Sequence, residues 1–499
     1  MATVPSTLID YLIKVIPEFD REIKQFEVAK MLWMMVDPNH RHLKYKNSIN
    51  LSSTNLIELF GRSPSFNKIN RDSFRYFSVN RFHNGKDAQG RSYNNGYEPK
   101  PWMLNALTEF LNLPSESTKL LNDDGKIIKK APKAIDSKTK DGHSANGWRG
   151  IDVPNLIKIN VSNLERIKKF YLKNELAETD DERTKNFYKF LASASLITQA
   201  NSDFSGSLIH RYIQSRSGRL YAEGSNLQNC PKEIRNAALE GCWDYDINCC
   251  HFSILEQMAK KLDFDCPVIR GYVVDKNALR EEIARGAGIT IPQAKLVLTA
   301  TIYGARKGLL LTNAIPKAIG VEAAQRLYLL PPYQAIAREI NKAKQTILER
   351  HPHPNGRYVN AFKMAIPVKE KKASILSHLM EGVEAAALRS AIKHCKNEIV
   401  LLQHDGFVLR NPIDSIALEV AVSRDTGYQF TYDYKQISYP IQKEFEQFDV
   451  DDTELNLDKI FNKNKDLEPE LGRSLLTKAP LYHDIPPVYP DKWDSETPF

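Results

Sequence analysis

Ile399-Val-Leu-Leu-Gln-His-Asp-Gly-Phe-Val-Leu409 sets His404-Asp405-Gly406 between two apolar runs. Asp-Gly between such runs is a strong short-range signal for a β-hairpin. The stretch predicts a hairpin anchored in a core, with Asp405 at its tip. A carboxylate on so rigid a mount suits a metal ion. Taken alone, an Asp-Gly pair is more often a plain turn, so the weight falls on the residues that accompany it elsewhere in the chain.

Upstream, Trp243-Asp-Tyr-Asp246 runs into His251-Phe-Ser-Ile-Leu-Glu256. The order is strand, acidic end, helix, which makes Asp244 a second rigidly mounted carboxylate. Asp246, two residues on, receives no role and is expected to tolerate Asn. Residues 278–303 read as helix, turn, helix, interrupted at Gly286 and Gly288. Thr290 caps the second helix and Pro292 sits in its first turn. Lys295, Thr299 and Tyr303 then recur every four residues on one broad face. A lone lysine on a helix is usually a surface residue, so this stripe gains meaning only beside the carboxylates. Two carboxylates held on separate elements suit two Mg²⁺ ions, a common device for in-line phosphoryl transfer. Lys295 would supply a cation for a triphosphate. Tyr303 would offer a flat face to a base or sugar, and Arg219, Lys232 and Arg235 would grip a nucleic-acid backbone.

The chain has 499 residues and a net charge of +8, with 26% charged and 42% hydrophobic residues. That length has room for several domains and a sizeable core. The basic excess suits a polyanionic partner. Six cysteines without a C-x-x-C pair argue against zinc and against a disulfide framework. The N-terminus lacks signal-peptide character, and no long uncharged apolar stretch is present, so a soluble cytoplasmic protein is expected, in a host-cell cytoplasm if it is viral.

Residues 5–36 read as two amphipathic helices carrying Leu8, Leu12 and Ile16, then Ile23, Phe26 and Met31. Asp20-Arg-Glu22 has exonuclease-like D-x-E spacing but lies in a helical pattern, so a solvated helix face is the better reading. Residues 37–112 mix basic and aromatic side chains, among them His40, Arg41, Tyr45, Arg71, Phe74 and Tyr76. Such mixing holds single strands in some proteins and covers ordinary surfaces in others. Residues 114–154 read as a basic linker with Lys126, Lys129, Lys130 and Lys133. Ser162-x-x-Glu165 predicts a capping box opening a helical hairpin over 162–200. Residues 371–396 read as one helix, 414–424 as another, and Tyr428–Tyr434 as a strand. From about 450 the chain turns polar and proline-rich and reads as a peripheral tail.

In order along the chain, these motifs resemble the single-subunit polymerases: phage and mitochondrial RNA polymerases and the related family A DNA polymerases. Asp244 followed by His251-Phe-Ser resembles the first catalytic motif of the phage enzymes. Lys295 to Tyr303-Gly304 has the spacing of the nucleotide-binding helix, and His404-Asp405 resembles the last motif. Arg216-Ser-Gly-Arg-Leu-Tyr-Ala222 resembles the phage R-G-R-x-Y, and Asn226-Leu-Gln-Asn-Cys-Pro231 resembles the N-L-Q-N-I-P of family A. The resemblance covers roughly 205–435.

It implies an α+β fold of right-hand type; residues 1–113 lie outside the resemblance and read as a mostly helical N-terminal region of unassigned fold. Residues 155–200 would be the thumb, 201–260 and 370–449 the palm, and 261–369 the fingers. It further implies catalytic roles for Asp244, Asp405, Lys295, Tyr303 and His404, with Asp244 and Asp405 holding Mg²⁺. Lys295, Thr299, Tyr303, His378, Cys249 and His251 would face the nucleotide. Arg216, Arg219, Asn226, Gln228, Lys232 and Arg235 would face nucleic acid. Three departures stand out. Ile291 replaces the family's Arg four residues before Lys295, so Arg285 or Arg306 would have to supply that charge. The stretch between Tyr303 and Asp405 is too short to add a promoter-specificity loop to the fingers, and the N-terminal region is short.

Family A DNA polymerases exclude the 2′-OH with a Glu five residues after the first Asp. Counted from Asp244 that position is Cys249, which leaves room for ribose. His378 resembles a histidine that acts with the tyrosine at the ribose in phage RNA polymerases. The expectation is therefore RNA synthesis from rNTPs on a DNA template, with an accessory subunit or single-strand-binding protein as a further partner. A DNA polymerase or a primase is the alternative. An HD-type phosphohydrolase would need His404-Asp405 on a helix, against the strand-like flanks, and a non-catalytic nucleic-acid binder would have no need of the acidic and basic site residues.

Overall fold

The computed structural model describes residues 3–16, 19, 25–36, 49–51, 76–80, 95–113, 117–139, 146–148, 150–173, 180–395 and 398–439. Asp20 to Glu22, the His40–Lys46 cluster, Arg71 to Arg75 and the tail beyond 440 lie outside the described residues. The fold is α+β. Its centre is a four-stranded antiparallel sheet in the order Ile399–Leu402, Gly406–Leu409, Trp243–Ile247, Tyr432–Gln436. The predicted hairpin is there, with Leu402 paired to Phe407. The last strand begins at Tyr432 rather than at Tyr428.

Alternation along Trp243–Ile247 divides the sheet's faces. Tyr245 and Ile247 point into the core with Phe407 and Leu409. The Tyr245 ring stacks between Phe407 at 5.4 Å and Tyr434 at 5.3 Å. Asp244 and Asp246 share the other face. The helix Lys372–Cys395 packs beneath, contributing Leu376, Leu379, Met380 and Val383 to the same core as Ile254 and Leu255 of Cys250–Lys260.

Between Lys260 and Arg357 the chain is helical. Lys276–Ala287 ends on Gly288 in the left-handed region (φ 66°), a usual glycine helix terminus. Thr290 then forms a full capping box with Gln293 and starts Ile291–Ile302, with Pro292 in the first turn. Val161–Lys173 and Asp180–Ala200 pack together as the expected helical pair. Their cap differs from the expectation. Asn160 Oδ1 accepts from Asn163 N at 3.1 Å, so the first helix is capped two residues before Ser162.

Among the described residues of the N-terminal part helix predominates, in Ser6–Val15, Gln25–Trp33 and Pro101–Asn112, beside a three-stranded sheet of Ile49–Leu51, Asn95–Pro99 and Phe77–Asn80. One expectation for this part needs correction. The basic segment is not simply a linker. Leu120–Leu121 pairs with Val4–Pro5, and Ile135–Thr139 runs parallel to Tyr212–Gln214. Its lysines 126, 129, 130 and 133 are exposed, so composition reported the solvent side and missed the paired backbone. No helix among the described residues is long and apolar enough to cross a membrane.

Candidate active site

The hairpin tip delivers Asp405. Gln403 N donates to Gly406 O at 2.9 Å, closing a turn centred on His404 and Asp405. Gly406 therefore opens the return strand instead of shaping the turn. Its need for glycine is spatial: a Cβ there would lie 2.2 Å from Tyr245 O and 3.2 Å from Asp246 Cα. That close approach seats the tip directly against the neighbouring strand, where Asp246 pairs with Gly406 and Ile247 N donates to Asp405 O at 3.0 Å.

Register thus brings Asp246, which the sequence reading left without a role, to Asp405. Asp244 lies one pleat back, opposite Val408, and accepts from Gln403 Nε2 at 2.7 Å. The Asp246 carboxyl is pushed up to about 7, first by loss of hydration, then by the charges of Asp405 and Asp244, with Lys295 opposing them. Solvent still reaches this side chain, so the crowding of like charges is the firmer of the two causes.

Lys295 is exposed on the Ile291–Ile302 helix and carries no carboxylate partner among the described residues. Thr299 Oγ1 donates to Lys295 O at 2.9 Å, so its hydroxyl proton is used within the helix. Tyr303, the helix C-cap, meets His251: its hydroxyl lies 2.6 Å from Nδ1, with the rings edge to face at 5.4 Å. His251 Nε2 lies 3.0 Å from Glu384 Oε2 and 2.9 Å from Arg219 Nη2. Arg219 and Glu384 form a two-pronged pair, Nε to Oε1 at 2.6 Å and Nη2 to Oε2. Glu384 is fully buried. Burial alone would raise its carboxyl, but His251 and Arg219 outweigh that and hold it below the usual carboxylate range.

This pair corrects the assignment of Arg219 to a nucleic-acid backbone, since its guanidinium is spent on Glu384 and Glu381. Asn226 and Gln228 are corrected likewise. Both are buried. Asn226 Nδ2 donates to Gly224 O at 2.6 Å, and its Oδ1 accepts from Asn229 N at 2.9 Å. Gln228 Oε1 accepts from Ala222 N at 2.8 Å while Nε2 donates to Leu402 O at 3.2 Å, tying the 220–222 strand to the hairpin. Arg235 Nη1 reaches Gln228 O at 3.5 Å. Lys232 is exposed, and Arg216 is half-exposed, 3.7 Å from Glu370.

Cys249 sits where strand turns into helix, in the left-handed region at φ 46°. Burial raises its thiol. His404 packs against Tyr221 at 4.7 Å between ring centres, and its Nδ1 is buried without a partner. Burial lowers its pKa, keeping the ring neutral. His378 is buried, with Nε2 3.1 Å from Met364 O. It lines a cavity of about 560 Å³ together with Arg216, Ser217, Tyr303, Ser377 and Glu381. Asp246 and Asp405 stand outside that lining; Tyr303 borders the cavity and, through His251, the loop that follows Asp246. Cys250, His251 and Glu384 have the spacing of a metal site. Arg219 occupies both Glu384 oxygens, so this grouping is an ion-pair network.

Sequence reasoning missed Asp246 and Glu384. Asp246 shares a face with Asp244 by strand alternation, and only the register separates them. Glu384 carried a signal of its own: a carboxylate in the run Gly382-Val-Glu-Ala-Ala-Ala387 on a helix must find a buried cation.

No family model matches the chain, and no curated protein matches it. Among solved structures, the polymerase domain of Pol1 from M. smegmatis, in complex with DNA primer-template and dNTP, is similar at a TM-score of 0.42 and 12% identity. That likeness covers 57% of this chain and 67% of the other. Similarity this distant carries no functional assignment.

Proposed function

We propose that this chain is a template-directed nucleotidyltransferase that joins nucleoside triphosphates at Asp246 and Asp405. The observation that supports it is the seating of these two residues side by side at the hairpin tip, with the Lys295 charge acting on Asp246 from the Ile291–Ile302 helix. The donor set fits Mg²⁺: all hard oxygens, and so crowded that one carboxyl resists ionisation until a cation relieves it. Bound there, such ions neutralise phosphate charge and acidify the attacking hydroxyl. Asp246 takes the role that the sequence reading gave to Asp244, with Asp244 held behind it by Gln403.

In this reading Lys295 binds the triphosphate and meets charge that builds on it during transfer. Tyr303 lies under the incoming nucleotide, and Arg216 with Lys232 faces the nucleic acid. The central sheet, within 201–260 and 370–439, forms the palm, the helices within 261–369 the fingers, and the 155–200 pair the thumb. Lys295→Ala is expected to lower kcat/KM for nucleotide about 10²–10³-fold, as loss of one transition-state donor does. Steady-state incorporation measures it, and unchanged kinetics would make Lys295 a surface residue.

For the sugar, the reading is ribonucleotides on a DNA template. Tyr303 and His378 share one cavity, and neither Cys249 nor His251 is the Glu of the DNA polymerases. A specific observation favours a second reading, DNA synthesis. Counted from Asp246, the position five residues on is His251, not Cys249, and its ring fills the space beside Tyr303. Matched rNTP and dNTP incorporation on one primed DNA template decides between them. Under the ribonucleotide reading, Tyr303→Phe loses a hydrogen bond to the 2′-OH, which contributes about 0.5–1.5 kcal/mol. The rNTP:dNTP ratio should then fall by up to about tenfold; a ratio that holds would remove the hydroxyl from sugar selection.

A further inference from the structure

We infer that the buried Arg219–Glu384 pair is a positioning device that sets the tautomer of His251, and through it the direction of the Tyr303 hydroxyl at the sugar of the incoming nucleotide. This rests on the nucleotidyltransferase reading and adds to it two residues that touch no substrate.

The network allows a limited set of hydrogen positions. His251 Nε2 faces both Arg219 Nη2 at 2.9 Å and Glu384 Oε2 at 3.0 Å. Arginine only donates and a carboxylate only accepts, so Nε2 must serve one or the other. Glu384 has no exposed surface and stays ionised, and a bond from Nε2–H to its charge is stronger than one accepted from a guanidinium already forked onto that carboxylate. The proton therefore sits on Nε2. Nδ1 is left bare and accepts the Tyr303 hydroxyl at 2.6 Å. The Tyr303 oxygen then turns its lone pairs outward, ready to accept from a 2′-OH. It leaves no unpaired proton facing a deoxyribose. Arg219 supplies the geometry: its fork fixes both carboxylate oxygens, and Glu381 steadies Nη1 at 3.5 Å.

Glu384→Gln reverses the arrangement. The amide oxygen stays on Arg219 Nε, and the amide NH2 takes the place of Oε2; Nε2 becomes the acceptor, both of the amide N–H and of Arg219 Nη2, which has lost Oε2. The proton moves to Nδ1 and donates to the Tyr303 oxygen. The tyrosine O–H now points at the sugar and goes unpaired when a deoxyribonucleotide binds. The expected result is a rise of about tenfold in the rNTP:dNTP ratio, taken from dNTP use. In a His251→Ala background the same substitution should leave the ratio where His251→Ala alone puts it, because the relay is cut. Each ratio is read within one preparation, so a partly unfolded fraction cancels. A ratio unmoved by E384Q, or a shift that persists undiminished without His251, would overturn the device. Should the wild type extend neither nucleotide, the nucleotidyltransferase reading fails separately. The tautomer itself is then decided by ¹⁵N-histidine NMR, with His251→Ala assigning the resonance. Nε2–H in wild type and Nδ1–H in E384Q are expected; one tautomer in both would contradict the inference.

Discussion

Asp246→Asn and Asp405→Asn should each lower nucleotide incorporation about a thousandfold or more while leaving the far-ultraviolet dichroism of the chain unchanged. In the proposed role each substitution removes a metal-binding charge from a strand or turn that cannot move to compensate, since Gly406 presses the hairpin onto Tyr245 O. Metal stabilisation of the transition state amounts to several kcal/mol, and every 1.36 kcal/mol is tenfold in rate. Asp244→Asn is the comparison. An amide there still accepts from Gln403, and the carboxylate lies one pleat from Asp405, so a clearly smaller loss is expected. Equal losses at 244 and 246 would give both residues the metal; a near-normal Asp246→Asn would remove it from Asp246. The variants should also bind Mg²⁺ more weakly, which isothermal titration reads without catalysis.

Arg219→Ala should destabilise the folded chain by about 3–5 kcal/mol, the usual cost of stripping one partner from a buried ion pair. Glu384 would be left without its guanidinium in a site with no solvent. Glu384→Ala strands Arg219 in the same way. Replacing both by Met and Leu should cost much less, because no charge is then buried alone. Urea unfolding gives the comparison, and an Arg219→Ala variant within about 1 kcal/mol of wild type would contradict the account of the pair. The pH dependence has a definite sign. The Glu384 carboxyl titrates below its unfolded value, so its contribution is complete above the ordinary glutamate range near pH ~4.3. It is lost as pH falls through the lower folded value. The gap between wild type and Arg219→Ala should therefore be full at neutral pH and narrow in acid.

The parts of this fold legible in the sequence were those fixed by neighbours in the chain. The 399–409 hairpin follows from two apolar runs around a tight turn, and the helix start at Thr290 from a capping hydroxyl with Pro292 in the first turn. The choice between Asp244 and Asp246 was not legible. Both lie on one face of one strand, and which faces Asp405 depends on pairing with a strand 160 residues away, set by the space above Gly406. In the proposed assignment the one-pleat step from Asp244 to Asp246 also moves the sugar position from Cys249 to His251. Arg219, Asn226 and Gln228 were polar residues in a loop-rich stretch, and polarity alone reads equally as ligand contact or as backbone satisfaction. Their partners at Glu384, Gly224 and Leu402 came only with the fold. The lysines of 126–133 misled in the opposite direction, because exposed charge coexists with paired strands nearby.

The central claim, nucleotidyl transfer at Asp246 and Asp405, is tested most directly by single-nucleotide extension of a labelled primer on a DNA template. Wild type and Asp405→Asn would be compared with Mg²⁺ and matched rNTP or dNTP. The account predicts templated extension by wild type with at least one of the two sugars, and none above background by Asp405→Asn. Extension by neither protein with either sugar, or extension by Asp405→Asn at the wild-type rate, would contradict it.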